Sequence, residues 1–176
     1  MNGGPIGLSV NAAHNVLVVL VRCWGDCKIK EFSSHGDSLR ELTLPDDVIY
    51  PHHAIQTRNG EFIVSHGGPD AEVARVCKIS ADGRDVIKSY VDGDGYYWPA
   101  HLAVDNNEFV FVADHQYQSG MTLLSPTLDY MRQVVSSHDL KGTPYRLYLD
   151  IHRRRLYVAD NEQWGDRIGR VVVFSV

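Results

Sequence analysis

His52 and His53 directly follow Pro51, and His101 lies two residues after Pro99. Neighbouring imidazoles at such places can converge on an anion or a metal ion. A zinc site wants three or four ligands of suitable geometry. The equivalent places after Pro5 and Pro144 carry Ile6-Gly7 and Tyr145-Arg146 instead. No metal or cofactor is therefore expected, and a site on His52, His53 and His101 stands only as an alternative. The bland reading is that these polar residues are hydrogen-bonded within the fold. Together with Tyr97 and Trp98 before Pro99, the residues His52, His53, His101, Tyr145 and Arg146 form the candidate binding surface.

Other residues carry weaker signals. Cys23-Trp24-Gly25-Asp26-Cys27 is too widely spaced for a zinc knuckle, and Cys77 is distant, so these read as loop thiols. Arg153, Arg154 and Arg155, with Lys141, Arg146, Arg167 and Arg170, could hold nucleic-acid phosphates. Tyr145, Tyr148 and Trp164 would then offer stacking faces. The triplet falls in a hairpin, however, which favours a solvated turn. Tyr96, Tyr97 and Trp98, with Tyr50, could contact a protein partner or pack internally. Asp114, His115, Asp160 and Asn161 close apolar runs and are expected to accept backbone hydrogen bonds. No nucleophile-base pair, phosphate loop or paired-carboxylate motif is present.

What must position these residues is a repeat. Pro5, Pro51, Pro99 and Pro144 recur at intervals of 46, 48 and 45 residues, a period that signals repeat architecture. Leu8, Ala54, Leu102 and Leu147 follow each proline by three. Val10, Val104 and Leu149 follow by five, whereas Gln56 breaks the alternation expected of a strand face. Dense apolar runs come next, at 16–21, 62–64, 109–113 and 156–159, and read as buried strands. Third strands are expected at 28–32, 74–79, 121–124 and 170–174, and fourth strands at 38–42, 85–90 and 130–135. Ser33, Ser80, Ser125 and Ser175 close the third strands and are structural. No amphipathic helix is legible. The chain is expected to be an all-β β-propeller, its antiparallel four-stranded blades running over about 5–50, 51–98, 99–143 and 144–176.

The segments PAHLAVDNNEFVFVAD (99–114) and PYRLYLDIHRRRLYVAD (144–160) resemble NHL repeats, whose blades open on a proline and run through such strands. The first two units match loosely. The resemblance implies an NHL-type propeller acting as a non-catalytic, protein-binding platform. It is similar to the target-recognition end of tripartite-motif ubiquitin ligases. Within the family, RNA-binding propellers and a zinc-dependent amidating lyase are the alternatives. In the lyase branch, proline-histidine pairs at blade starts hold the metal. Pro51-His52 alone matches that pattern, so the resemblance implies protein binding first, RNA second and metal-dependent lyase or hydrolase chemistry third. NHL rings resemble six-bladed propellers, which need roughly 270 residues at about 45 per blade. With 176 residues and no fourth strand in the last unit, the chain is expected to be part of a larger ring. Further blades or self-association would complete it.

Composition bounds the rest. The chain is 44% hydrophobic and 22% charged, with a net charge of −5, as an ordinary globular domain would be. Residues 141–176 carry a net +3 and residues 1–140 a net −8. No membrane span or signal peptide is legible. Three cysteines point to a reducing, cytoplasmic setting rather than a disulfide framework.

Overall fold

A computed structural model describes residues 4–21, 27–67, 74–92, 97–115, 120–140, 142–161 and 169–176. Cys23 through Asp26, Tyr96, Lys141, Trp164 and Arg167 lie outside the described residues. Among the described residues, fifteen strands form four antiparallel sheets in chain order. Blade 1 holds β1 (Pro5–Val10), β2 (Val16–Leu20), β3 (Lys28–Phe32) and β4 (Ser38–Thr43). Blade 2 holds β5 (Pro51–Gln56), β6 (Phe62–His66), β7 (Arg75–Ile79) and β8 (Val86–Tyr90). Blade 3 holds β9 (Pro99–Val104), β10 (Val110–Asp114), β11 (Met121–Leu124) and β12 (Tyr130–Val135). Blade 4 has three strands, β13 (Thr143–Asp150), β14 (Arg155–Asn161) and β15 (Arg170–Ser175). Among the described residues no helix is long and apolar enough to cross a membrane.

The strands sit where β-branched and aromatic runs met turn residues. Turn chemistry repeats with the blades. Ser33, Ser80 and Ser125 each accept backbone N–H groups of their own turn through Oγ, which assigns the recurring serines to architecture. Gly36 and Gly83 take the left-handed conformation in two of these turns, and Leu128 does so in the third. Gln56, which interrupts the apolar alternation, works as a clasp. Its Nε2–H donates to the Gly60 carbonyl, and its Oε1 accepts from Asn11 of blade 1.

The core consists of three slabs between successive blades. Leu17, Val19 and Ile29 of blade 1 pack on Ala54, Phe62, Val64 and Ile79 of blade 2. Ile63 and Val76 of blade 2 pack with Leu102, Val110 and Leu124 of blade 3. Phe111, Met121 and Val135 of blade 3 pack with Leu147, Leu156 and Val158 of blade 4. Among the described residues no buried cluster joins blade 4 to blade 1, so the blades form an open arc.

The blades approach most closely at their innermost strands. A Cβ on Gly7 would overlap the His52 carbonyl oxygen of the next blade. Backbone cannot swing aside as a side chain can. Gly7→Ala should therefore destabilise the protein by about 1–3 kcal/mol, the usual cost of overpacking. A urea midpoint no lower than that of the wild type would refute this close approach.

Candidate functional site

The site is built by one device used four times. Each first strand carries an irregularity just after its proline, where the register skips one residue: Ile6, His52, Ala100 and Tyr145. A bulge of this kind leaves one residue unpaired and re-aims its side chain. All four of these residues line a single cavity of about 550 Å³ at the inner ends of the blades. Val21, Tyr50, Trp98, His115, Arg146 and Asn161 complete its wall.

The residue after each bulge has a different task. In blades 2 and 3 it is a histidine that ties adjacent first strands together. His53 Nε2–H donates to the Leu8 carbonyl at 3.0 Å, and its Nδ1 accepts from the Leu102 N–H at 3.3 Å. His101 Nδ1 accepts from the Leu147 N–H, also at 3.3 Å. The two rings stack, with centroids 3.7 Å apart and planes 24° from parallel. Burial holds His53 down to about 4. Burial, helped by His53 and Arg146, holds His101 down to about 2. Both are neutral near pH 7, as their accepting nitrogens require.

This arrangement does not fit a metal. The Nδ1 lone pairs of His53 and His101 are taken by backbone N–H groups, and stacked rings do not converge their nitrogens on a point. Among the described residues no cluster of three or more histidine, cysteine or acidic side chains could hold an ion.

His52 is placed differently. The Trp98 indole Nε1–H donates to its Nε2 at 3.0 Å, and the same nitrogen lies against the Gly67 carbonyl. One imidazole nitrogen cannot accept from an indole and donate to a carbonyl at once, so the two contacts belong to alternative tautomers. Burial lowers the His52 pKa, which favours a neutral ring in either case. Trp98 is itself held by its backbone. Its N–H donates to Asp114 Oδ1 at 2.9 Å, and its carbonyl accepts from the His115 N–H at 2.8 Å. The rings of Trp98 and His115 meet edge to face at 4.9 Å. Burial lowers the His115 pKa as well, although the Pro144 carbonyl accepts a hydrogen bond from the ring.

In blade 4 the place of His53 and His101 is taken by Arg146. Its guanidinium lies 5.7 Å from the Tyr145 ring centre and donates to the Tyr145 carbonyl. Among the described residues no carboxylate forms an ion pair with it. The cavity thus carries a cation beside uncharged imidazoles and aromatic rings.

The structure separates the other candidates. Tyr97 is only 5% exposed and packs in the slab between blades 2 and 3, edge-on to Tyr90, so it supports the core rather than offering a surface. Arg153 and Arg154 sit in the β13–β14 turn and Arg155 begins β14, all at the opposite end of β13 from Arg146. Arg153 pairs with Asp150, Arg154 donates to the Val176 carbonyl, and Arg170 pairs with buried Asp160. Among the described residues, Arg146 and Arg170 lie at the inner end of blade 4 and Arg153, Arg154 and Arg155 at the other end, so they form no single stripe. Cys77 is buried, and burial pushes its thiol up to about 12, an unreactive setting. Sequence reasoning missed His115 and Asn161 as cavity residues. The available signal was their shared place, one residue past Asp114 and Asp160.

No protein-family model matches the chain, and no curated protein matches its sequence. Solved structures do match in fold. A GH74 enzyme from Niastella koreensis aligns with a TM-score of 0.68 at 14% identity, covering 98% of this chain and 29% of that one. A gluconolactonase from Xanthomonas campestris aligns with a TM-score of 0.66 at 11% identity, covering 97% and 57%. A Bacteroides caccae protein of unknown function aligns with a TM-score of 0.58 at 13% identity, covering 97% and 61%. The chain spans less than two thirds of the length of each. The chain is an all-β assembly of antiparallel blades in a β-propeller arrangement.

Proposed function

We propose that this propeller segment binds a small anionic ligand, a carboxylate- or phosphate-bearing molecule of about sugar size, in the cavity at the inner blade ends. The carrying observation is Arg146. It stands where the two preceding blades place neutral histidines, faces a cavity of about 550 Å³, and has no carboxylate partner among the described residues. Guanidinium groups bind planar oxyanions through paired, charge-assisted hydrogen bonds. Trp98, Tyr145 and His115 supply aromatic walls, as ligand pockets commonly do. The similarity in fold to a gluconolactonase supports a sugar-derived ligand, since opening a sugar lactone yields a carboxylate.

This reading stands ahead of the protein-platform one because of the aromatic pair. Tyr97 is in the core, and the Trp98 indole turns inward to His52. The repeat is still read as NHL type, on residues 99–114 and 144–160. RNA binding would draw on Arg153, Arg154 and Arg155, which lie at the far end of β13 from the cavity.

Calorimetric titration tests the reading, with gluconate and inorganic phosphate as probes and glucose as the uncharged control. At least one anion should bind and glucose should not. Arg146→Gln should weaken anion binding by about 10- to 100-fold, from the roughly 1.5–3 kcal/mol of a charge-assisted hydrogen bond. Equal affinity in the variant would sink the proposal, as would wild-type protein indifferent to both anions. Hydrolysis of added gluconolactone faster than in buffer alone would add catalysis to binding.

A further inference from the structure

Strand alternation gives each blade two faces, and among the described residues nothing packs on the two outermost faces of the arc. In blade 1, Leu17, Val19 and Ile29 point toward blade 2. Their neighbours point the other way. There, Leu8 is 63% and Val10 64% exposed. The strand register continues these residues across the sheet, in the rows Leu8–Val18–Lys30 and Val10–Val16–Phe32. In blade 4, Leu147, Leu156 and Val158 point toward blade 3. On the opposite side Tyr148 is 65% and Val171 63% exposed. There the row is Tyr148–Tyr157–Val173, with the Tyr148 and Tyr157 rings 5.8 Å apart. Rows of this kind, apolar apart from Lys30 at the end of one of them and uncovered on a sheet face, mark contact surfaces.

We propose that two copies of this chain join head to tail, the free face of blade 4 in each seating on the free face of blade 1 in the other. The contact continues the packing that already joins the blades. Each of the three buried slabs sets the trailing face of one blade on the leading face of the next. The two uncovered faces are one leading and one trailing, so they match each other and neither matches itself. Such a contact is heterologous, and it either closes into a ring or propagates. Two arcs of four blades make eight, which lies within the range in which propellers close. A pair therefore completes a ring and covers the end faces of blades 1 and 4 in both copies.

Light scattering coupled to size exclusion tests this on the 176-residue chain. The expected mass is twice the 19.8 kDa of one chain. A monomer would overturn the proposal and leave the faces to some other cover, such as further blades of a longer polypeptide. Leu8→Glu and Val171→Glu change exposed side chains, one on each face, and each variant alone should run as a folded monomer by circular dichroism. Mixing the two should restore a dimer, because the intact blade 4 of the first can seat on the intact blade 1 of the second. A pairing of like faces would leave one variant dimeric by itself and give no recovery on mixing, and either result overturns the head-to-tail arrangement.

Discussion

Acidification from pH 7 to pH 5 should remove a large share of this protein's stability, roughly 6 kcal/mol. His53 and His66 are held by burial at about 4 and His101 at about 2, whereas unfolded imidazoles titrate near 6.5. The unfolded chain then binds more protons than the folded one, so stability rises with pH. The contribution is fully present above about pH 6.5 and falls as pH drops toward the folded values. Each group loses about 1.4 kcal/mol per pH unit in this window. By pH 5 that is about 2 kcal/mol per histidine and roughly 6 kcal/mol for three, against a typical total of about 5–15 kcal/mol. Urea midpoints measured at pH 7.5, 6 and 5 should fall steeply. His53→Gln keeps a donor and an acceptor but does not titrate there, and it should remove about a third of the slope. A midpoint that holds steady to pH 5 would mean that these rings are protonated in the folded protein.

Truncation of Phe62 should be the most damaging single core change. Its ring is fully buried in the slab between blades 1 and 2, and the Arg40 guanidinium sits 5.3 Å above it. Arg40 in turn pairs with Glu31, a buried carboxylate that also accepts from Asn11 and Asn15. Phe62→Ala removes the ring, leaves a cavity and loosens the cation above it. The expected cost is about 3–5 kcal/mol, a fall in Tm of roughly 10 °C or more. The comparison is Leu39→Ala, at a half-exposed position on β4, which should change stability by no more than about 0.5 kcal/mol. Similar shifts for the two variants would contradict the slab architecture. Both measurements bear on the cavity, since the ties from His53 hold together the first strands that form it.

The strands were legible because their signals are local. A proline stands first or second in each first strand, apolar runs such as 62–64 and 121–124 read as strands wherever they fall, and the serine turns need only their own few residues. The period of the prolines was enough to imply blades. The inward turn of Ile6, His52, Ala100 and Tyr145 depended on something else. It follows from a one-residue skip in pairing, and a skip reverses which side chains face in. Alternation along one strand cannot show where its partner slips. For the same reason Tyr97 and Trp98, adjacent in sequence, part company: one is buried in a slab and the other lines the cavity. His53 and His101 read as possible ligands because residue type carries no record of which backbone groups will compete for their nitrogens. The sequence by itself determined the repeat, the strands and the turns, all of which are set within a few residues. Tertiary structure alone decided which side chains meet at the inner blade ends, because that depends on register across strands and on the packing of one blade against the next.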